Sequence, residues 1–182
     1  MRAQLLSGHT CRRAVTTPLG VFTIIASDVG ITEVTFPGIA PRRLIASKPT
    51  KRNANSEAIL DAAVNEMYCY FKGDLLCFAS PIDLSETSAF KRDIYETLMT
   101  IPFGDTVTYG LLAALAGHPG KARAVGGAMA QNPVPLFIPC HRVTGANGKL
   151  GGWSGPPGLK TTLLDFEKSV IEKRTTSTPV NR

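Results

Sequence analysis

The stretch Thr108–Gln131 reads TYGLLAALAGHPGKARAVGGAMAQ. Its apolar spacing predicts two short helices, over 108–116 and 121–131, separated by the turn formers GHPG. We expect His118 to cap the second helix, because Pro119 behind it suits a first helical position. Two short helices joined by a tight glycine-containing turn are typical of a helix-turn-helix. Any pair of packed helices can share this pattern, so by itself it is a weak indication of DNA binding.

The chain must leave this helical pair at once, because NPVP follows at 132–135 and each proline disfavours a helical residue before it. An apolar run, LFI, then leads into PCHRV at 139–143. A cysteine next to a histidine in such a turn, Cys140 and His141, is a candidate activated thiol, since a nearby base favours the nucleophilic thiolate. Two other interpretations stay open on these residues alone: a buried structural cysteine beside a surface histidine, and a cysteine hydrolase.

Towards the N-terminus, residues from about Cys11 to Phe36 alternate apolar and polar positions between turn signals. This pattern predicts a small antiparallel meander. Apolar residues at helical spacing predict a helix over 56–71, with Gly73 as its C-cap. The segment 37–55, with its prolines and basic residues, is expected to be a loop.

The remaining chain predicts helices over 88–101 and 161–171, with an irregular linker at 74–84. The fold class is therefore α+β, with a small N-terminal sheet-plus-helix domain and a mostly helical C-terminal domain that carries the helix-turn-helix. We expect the N-terminal domain at 1–85, the C-terminal domain at 86–171 and a disordered tail at 172–182.

Composition excludes some classes of protein. The chain has 182 residues, a net charge of +6 and a sequence pI near 9.3, which favours an anionic partner but is weak support for nucleic acid. We expect no membrane association, since no apolar run approaches the ~20 residues needed to cross a bilayer. The first residues lack the apolar core of a secretory signal, so we expect a cytoplasmic protein.

The other cysteines are expected to be reduced thiols, because their spacing has neither the CxxC pattern nor the density of a disulfide scaffold. Cys69 and Cys77 lie among apolar residues and are interpreted as small buried hydrophobes. A metal site at His9 and Cys11 would need a second pair of ligands that the sequence does not show, so we predict no metal.

The string IPCHRV at 138–143 resembles the active-site signature of the O⁶-alkylguanine-DNA alkyltransferases, the methylated-DNA–protein-cysteine methyltransferases. The resemblance extends over about 80 residues, from Phe90 to Glu167, in the order and spacing of the family. The further matching blocks are TVTY at 106–109, LAALAG at 112–117, ARAVGGAM at 122–129, NP at 132–133, GGWSG at 151–155, and Lys160 through Leu163-Leu164 to Glu167.

The resemblance implies binding of double-stranded DNA that contains O⁶-alkylguanine, by a monomer that needs no cofactor. The helix-turn-helix would enter the minor groove, and the damaged base would be flipped out of the stack into a pocket. Arg123 would fill the vacated place and Tyr109 would push the target phosphate. The second helix is rich in alanine and glycine, which permits close approach with little base-specific contact and suits repair in any sequence. Further DNA contacts are expected from Gly110, His118 and Lys91.

For the chemistry, the resemblance implies a relay of Cys140, His141 and Glu167, in which the thiolate displaces guanine from the alkyl carbon. Asn132 would brace the turn between the second helix and the cysteine. Expected pocket contacts are Tyr109 and the Ser154 N–H on the departing guanine, the carbonyls of Cys140 and Val143 on its exocyclic amine, and Trp153 in the pocket loop. The thioether product would be permanent, so each molecule would act once; O⁴-alkylthymine is a second candidate substrate.

Some positions depart from the family pattern. Trp153 stands where tyrosine or phenylalanine is usual, Gly110 replaces a polar residue, and Ala130 stands where several relatives have a basic residue. The N-terminal 85 residues match only loosely and lack the zinc ligands of some members. Because Cys140 is retained, the alkyltransferase-like proteins with tryptophan at that position are disfavoured. A helix-turn-helix regulator would need a second domain for which the chain has no room, whereas a Cys–His hydrolase would turn over and ignore DNA.

Overall fold

The computed structural model describes residues 10–41, 53–148 and 155–176. The chain begins with a three-stranded antiparallel sheet of strands β1 (Cys11–Thr17), β2 (Gly20–Ala26) and β3 (Ile31–Thr35), in that order. The predicted meander is therefore confirmed. The turn between β1 and β2 requires a glycine, because Gly20 has φ +110° and a Cβ there would lie 2.8 Å from Pro37 Cβ.

Helix α1 (Ala54–Lys72) packs on β1 and β2. It begins two residues before the predicted start, because the side chain of Asn53 caps it by accepting from Asn55 N at 3.0 Å. It ends as predicted at Gly73, whose φ of +80° lets its N–H reach the carbonyl oxygens of Cys69 and Tyr70. Its buried face follows the helical period: Ile59, Leu60, Ala63, Met67 and Tyr70.

The segment 74–84 is irregular, as predicted, but it is more than a spacer. Ile31 N donates to Pro81 O at 2.8 Å and Asp83 N donates to Ile31 O at 2.9 Å, so Ile82 pairs in parallel with β3. In addition, Val34 N of β3 donates to Pro133 O at 2.8 Å. The sheet is thus hydrogen-bonded to the segment that leads towards Cys140.

The second half of the chain is mostly helical, in agreement with the predicted α+β class. Its elements are α2 (Ala89–Met99), β4 (Val107–Thr108), α3 (Tyr109–Leu115), α4 (Ala122–Ala130), β5 (Val143–Thr144) and α5 (Leu159–Thr176). Strands β4 and β5 pair in parallel, Val107 with Val143 and Thr108 with Thr144. This short pair holds the start of α3 beside the residues that follow Cys140.

Three sequence-based expectations are wrong here. Cys77 is exposed and is not a buried hydrophobe. His118 is not the N-cap of α4: that position is Lys121, and the His118 imidazole instead contacts Asp93 of α2 at 2.8 Å. The turn can extend beyond His118 because Gly117 and Gly120 both adopt positive φ. The expected disordered tail at 172–182 is also wrong for Glu172–Thr176, which continue α5; residues 177–182 lie outside the described residues.

Buried side chains from both halves form one contiguous hydrophobic cluster. At the junction, the Tyr70 ring of α1 lies 5.5 Å from the rings of both Phe103 and Phe166, measured between centroids. Helix α5 therefore packs against the N-terminal helix. Among the described residues, no helix is both long and apolar enough to cross a membrane.

Candidate active site

Cys140 lies in a short 3₁₀ turn, Cys140–Arg142, between the proline-rich segment and β5. The turn is held by Cys140 N donating to Ile138 O at 2.7 Å and by Arg142 N donating to Pro139 O at 2.9 Å. Proline fits this entry because it has no N–H to satisfy and its ring fixes φ. The thiol-bearing residue is buried, with 2% of its surface exposed. The alternative of a buried structural cysteine beside a surface histidine is therefore correct for Cys140. It is wrong for His141, which is also buried.

Asn132 connects the end of α4 to this turn. Its Nδ2 donates to Ile138 O at 2.8 Å, and its Oδ1 accepts from Val134 N at 3.0 Å. Leu136 lies in sequence between Val134 and Ile138, the two residues that Asn132 contacts. It adopts φ +75°, which is uncommon for a residue with a branched side chain. The Asn132 amide thus bridges a strained loop; the bracing role that the resemblance implies for it stays a prediction.

His141 and Glu167 form a buried pair. The His141 Nε2 atom lies 2.8 Å from Glu167 Oε1, and the two side chains are 1% and 0% exposed. Glu167 comes from α5, which packs directly on the 3₁₀ turn. The structure therefore brings together the histidine and the carboxylate that the sequence predicted as partners.

Glu167 has further donors that hold it as a carboxylate. Arg142 Nε lies 3.1 Å from Oε2 and Arg142 Nη2 lies 3.0 Å from Oε1; Gly104 N donates to Oε2 at 2.9 Å and Tyr70 Oη donates to Oε1 at 2.8 Å. Burial would raise the pKa of Glu167, but the hydrogen bonds and positive charge of His141 and Arg142 outweigh it and lower the pKa to about 2. Glu167 is therefore ionised throughout the physiological range.

Near neutral pH His141 is uncharged; its positive charge acts on Glu167 only in acid, where the imidazole is protonated. Burial lowers its pKa, and the nearby charges of Arg142 and Lys160 act in the same direction, whereas Glu167 opposes them. Because an ionised carboxylate can only accept, Nε2 must carry the hydrogen and Nδ1 holds the lone pair. A neutral imidazole oriented by a carboxylate can act as a general base.

Lys160 is a residue of this site that the sequence analysis did not assign a role. It is 4% exposed, and its Nζ donates to Val143 O at 2.5 Å. Burial lowers the pKa of Lys160, and negative charge on Cys140 opposes that effect, which places the ammonium within electrostatic reach of the thiol. A cation there favours the thiolate. A lysine on the inner face of a helix next to the Cys-His turn is the signal that could have identified it.

Tyr109, the first residue of α3, is also within electrostatic reach of the Cys140 thiol. Burial raises its pKa, and negative charge on Cys140 raises it further, so the phenol keeps its proton. Tyr109 lines a groove of about 560 Å³ together with Thr108, Gly110, Ala122, Arg123, Gly126 and Ala146. That volume is in the range of small-molecule sites. A larger cavity, of about 770 Å³, reaches Pro139 and Arg142 from the side of Cys77 and Phe137. Tyr109 lines only the smaller groove, and Cys140 is a lining residue of neither.

The other predicted residues are distributed around this groove. Arg123 and Gly110 are exposed, whereas Val143 is fully buried. The imidazole of His118 contacts Asp93, and Lys91 Nζ donates to Gln131 Oε1 at 2.5 Å, so both side chains have partners within the protein. Trp153 and Ser154 lie outside the described residues, as does His9. Within the described ranges, no group of three or more histidine, cysteine or acidic residues is arranged to hold a metal ion.

The carbonyl oxygens of Cys140 and Val143 already accept hydrogen bonds within the protein. Val143 N donates to Cys140 O, and Lys160 donates to Val143 O. A carbonyl oxygen has two lone pairs, so each can accept a second donor from a ligand.

Residues 89–169 match the family model described as 6-O-methylguanine DNA methyltransferase, DNA binding domain. A methylated-DNA–protein-cysteine methyltransferase of Mycolicibacterium paratuberculosis is 38% identical over 156 residues, which cover 86% of this chain and 91% of that protein. The chain belongs to the methylated-DNA–protein-cysteine methyltransferase family. The family's DNA-binding domain thus includes Cys140, His141 and Glu167.

Two further comparisons support membership of this methyltransferase family. The Mycobacterium leprae methylated-DNA–protein-cysteine methyltransferase is 46% identical over 109 residues, which cover 60% of this chain and 66% of that protein, a little under two thirds of its length. The crystal structure of Mycobacterium tuberculosis OGT in complex with DNA aligns with a TM-score of 0.75 and 34% identity, over 87% of this chain and 93% of that one.

Proposed function

We propose that this protein repairs DNA by transferring the alkyl group from the O⁶ position of guanine to its own Cys140. The observation that carries the proposal is the buried group of Cys140, neutral His141 and ionised Glu167, with Lys160 beside the thiol. Family membership and the similarity to a DNA-bound OGT support the same activity. DNA containing O⁶-alkylguanine is the proposed partner.

The proposed reaction is a direct displacement. The Cys140 Sγ proton moves to His141 Nδ1, and Glu167 stabilises the resulting imidazolium through Nε2. The thiolate then attacks the alkyl carbon; a C–S bond forms as the C–O bond breaks, and that electron pair leaves on guanine O⁶. The Tyr109 phenol, which keeps its proton, would donate to the departing oxygen. The new thioether has no hydrolytic route, so each molecule reacts once.

The proposed DNA contact runs along α3 and α4. We infer that α4 lies in the minor groove, since its small residues allow the helix to approach closely. Exposed Arg123, next to the groove that Tyr109 lines, would occupy the place of a flipped base, with Gly110 beside the backbone. Lys91 and His118 would contact phosphates in the DNA complex. In the free protein these side chains contact Gln131 and Asp93, respectively.

Within the pocket, the carbonyls of Cys140 and Val143 would receive the exocyclic amine of guanine. Ser154 N–H and Trp153 are proposed to complete the pocket, and Asn132 to keep the active-site turn in register with α4. O⁴-alkylthymine remains a second candidate substrate.

We further propose that the protein acts as a monomer with domains at 1–85 and 86–171. We propose a cytoplasmic location, because the mycobacterial relatives are bacterial and a bacterial chromosome lies in the cytoplasm.

The test is to mix the protein with a short duplex that carries one O⁶-methylguanine, measure the intact mass and map the modified peptide. We expect one methyl group per protein, on Cys140, with no further reaction when the duplex is in excess. Cys140→Ser should abolish the transfer, whereas Cys77→Ser, which changes an exposed cysteine, should retain it.

Two results would contradict the proposal. Tight binding to the damaged duplex without a mass change would indicate a damage sensor whose relay does not work. Neither binding nor a mass change would favour a Cys–His hydrolase, which turnover of ester or amide substrates would then test.

A further inference from the structure

We propose that Tyr70, in the N-terminal half of the chain, is a positioning residue for the transfer reaction and acts through Glu167. This inference rests on the proposed function, because it concerns the proton relay of that reaction. Tyr70 lies 97 residues from Glu167 in sequence and belongs to none of the motifs that resemble the family's catalytic domain.

The Tyr70 hydroxyl shares a carboxylate oxygen with the catalytic base. Tyr70 Oη donates to Glu167 Oε1 at 2.8 Å, and His141 Nε2 contacts the same oxygen at 2.8 Å. Tyr70 is 1% exposed, so this hydrogen bond is shielded from water. The Tyr70 hydrogen bond draws negative charge from Glu167 Oε1. The strength of the hydrogen bond between Oε1 and His141 therefore depends on Tyr70.

Aromatic packing holds the hydroxyl in one direction. The Tyr70 ring is stacked on Phe78, with 5.2 Å between the ring centroids. Three further rings surround it at centroid distances of 5.1 Å for Phe71, 5.5 Å for Phe103 and 5.5 Å for Phe166. Because these contacts come from both halves of the chain, the ring has little freedom to rotate its hydroxyl away from Glu167.

The charges around Glu167 make the tyrosine a permanent donor. Arg142 and His141 face the carboxylate from the 3₁₀ turn, Tyr70 faces it from α1, and Lys160 lies on the same helix as Glu167. Burial raises the pKa of Tyr70 well above its ordinary value, and the charge of Glu167 raises it further. The hydroxyl therefore keeps its hydrogen at neutral pH and in acid.

The consequence is a weaker hold of Glu167 on the imidazolium. A carboxylate that accepts several hydrogen bonds is less basic, so it stabilises the protonated imidazole of His141 less and helps to keep that ring neutral and ready to accept the thiol proton. Without the tyrosine hydroxyl, the pKa of His141 should rise. A larger fraction of the base would then be protonated, and unable to act, on the acid side of neutrality.

Tyr70→Phe tests this, because it keeps the ring and removes only the hydroxyl; Glu167 Oε1 still has His141 and Arg142 as partners. The matched control is Tyr95→Phe: Tyr95 is 0% exposed, and its hydroxyl donates to Ala128 O at 2.8 Å rather than to Glu167. Single-turnover transfer from the O⁶-methylguanine duplex is measured over a range of pH at saturating protein, with the full chain and with DNA affinity determined separately.

We expect Tyr70→Phe to slow transfer at saturation by up to about tenfold below neutrality, and to move the acid limb of the profile upward by up to about one pH unit. DNA affinity should not change, and Tyr95→Phe should leave the acid limb in place. A pH profile of Tyr70→Phe that superimposes on the unmodified protein's would overturn the inference and leave Tyr70 a packing residue.

Two measures keep the test decisive. If Tyr70→Phe does not fold, 3-fluorotyrosine at position 70, which keeps the shape and is a stronger donor, should move the acid limb in the opposite direction, to lower pH; no movement would overturn the inference. If the unmodified protein transfers nothing, the proposed function fails, and the inference is judged by the pH dependence of iodoacetamide addition to Cys140, mapped by mass spectrometry without DNA. An identical dependence in Tyr70→Phe would then contradict it.

Discussion

Arg142 donates to Glu167 through two nitrogen atoms: Nε lies 3.1 Å from Oε2, and Nη2 lies 3.0 Å from Oε1. Both side chains are almost fully shielded from solvent. The remaining nitrogen, Nη1, donates to Ile101 O at 2.7 Å, and the guanidinium carbon lies 5.6 Å from the centre of the Phe103 ring. A two-pronged contact of this kind fixes the orientation of the carboxylate as well as its charge. Arg142 thus contacts both carboxylate oxygens of Glu167 and shares Oε1 with His141.

Replacing Arg142 should cost much of the protein's stability. In Arg142→Met, the buried Glu167 carboxylate loses its cation, and we expect the free energy of unfolding to fall by about 3–5 kcal/mol. Urea denaturation followed by circular dichroism measures this. The exposed Arg12→Met serves as control and should change it by less than about 0.5 kcal/mol. A similar, small loss in both variants would contradict the role of Arg142.

Glu167 should make the protein sensitive to acid in a defined range. Its pKa is lowered from 4.5 to about 2 in the folded protein, so its stabilising contribution is complete above about pH 4.5 and is lost as pH falls towards 2. The loss should amount to about 3 kcal/mol. His141, with a lowered pKa, acts in the same direction from about pH 6.5 downward, because the unfolded chain then binds a proton that the folded protein does not.

Glu167→Gln separates these two effects. The variant should be less stable at neutral pH, since Arg142 loses its counter-charge, but its stability should change less between pH 4.5 and about 2. Denaturant midpoints at a series of pH values give the comparison. Parallel pH curves for the variant and the unmodified protein would refute the assignment.

Arg123 should matter only when there is a base stack to enter. Arg123→Ala is expected to slow transfer from duplex O⁶-methylguanine by tenfold or more, on the order of 1–3 kcal/mol, and to affect a single-stranded oligonucleotide much less. The control is Lys121→Ala, a nearby exposed cation that does not line the groove with Tyr109. Equal slowing on both substrates would show that Arg123 contributes charge rather than base displacement.

Two glycines, one in α4 and one in the turn before it, should respond in opposite ways to the same change. A Cβ at Gly127 of α4 or at Gly117 of the turn would meet no heavy atom within 4 Å, but only Gly117 has positive φ, at +80°. Gly127→Ala should therefore stabilise the protein by up to about 1 kcal/mol, through helix propensity. Gly117→Ala should destabilise it by about 1 kcal/mol or more. Thermal melting of both variants measures this, and shifts of the same sign would disprove it.

Local patterns accounted for most of the fold. The meander, the helix that ends at Gly73 and the two short helices on either side of Gly117–Gly120 all follow from side-chain periodicity and from turn residues whose effects are local. The prediction for His118 failed for the opposite reason. Its contact with Asp93 of the preceding helix is a tertiary interaction, and the turn could lengthen at little cost because Gly117 and Gly120 accept positive φ.

The candidate site also combines residues that sequence motifs predict with residues that only the tertiary structure identifies. Cys140, His141 and Glu167 could be predicted because the family's motif blocks carry them, and the last two are in contact. Tyr70 could not, since it has no local pattern that distinguishes a buried partner from a core residue. Lys160 begins the motif block that ends at Glu167, but its hydrogen bond to Val143 O depends on the folded chain. Glu167 Oε1 lies where α1, α5 and the 3₁₀ turn meet, and that meeting point depends on packing between the two halves of the chain.

The burial of Cys140 also affects how fast its thiol is lost to side reactions. In the proposed reaction the thiol is consumed once, so it must first escape oxidants and small electrophiles, which react fastest with accessible thiolates. Cys140 is 2% exposed, whereas Cys77 lies at the surface. Reagents in solution therefore encounter Cys77 before Cys140. In the proposed function, this burial would preserve the Cys140 thiol until the protein meets damaged DNA.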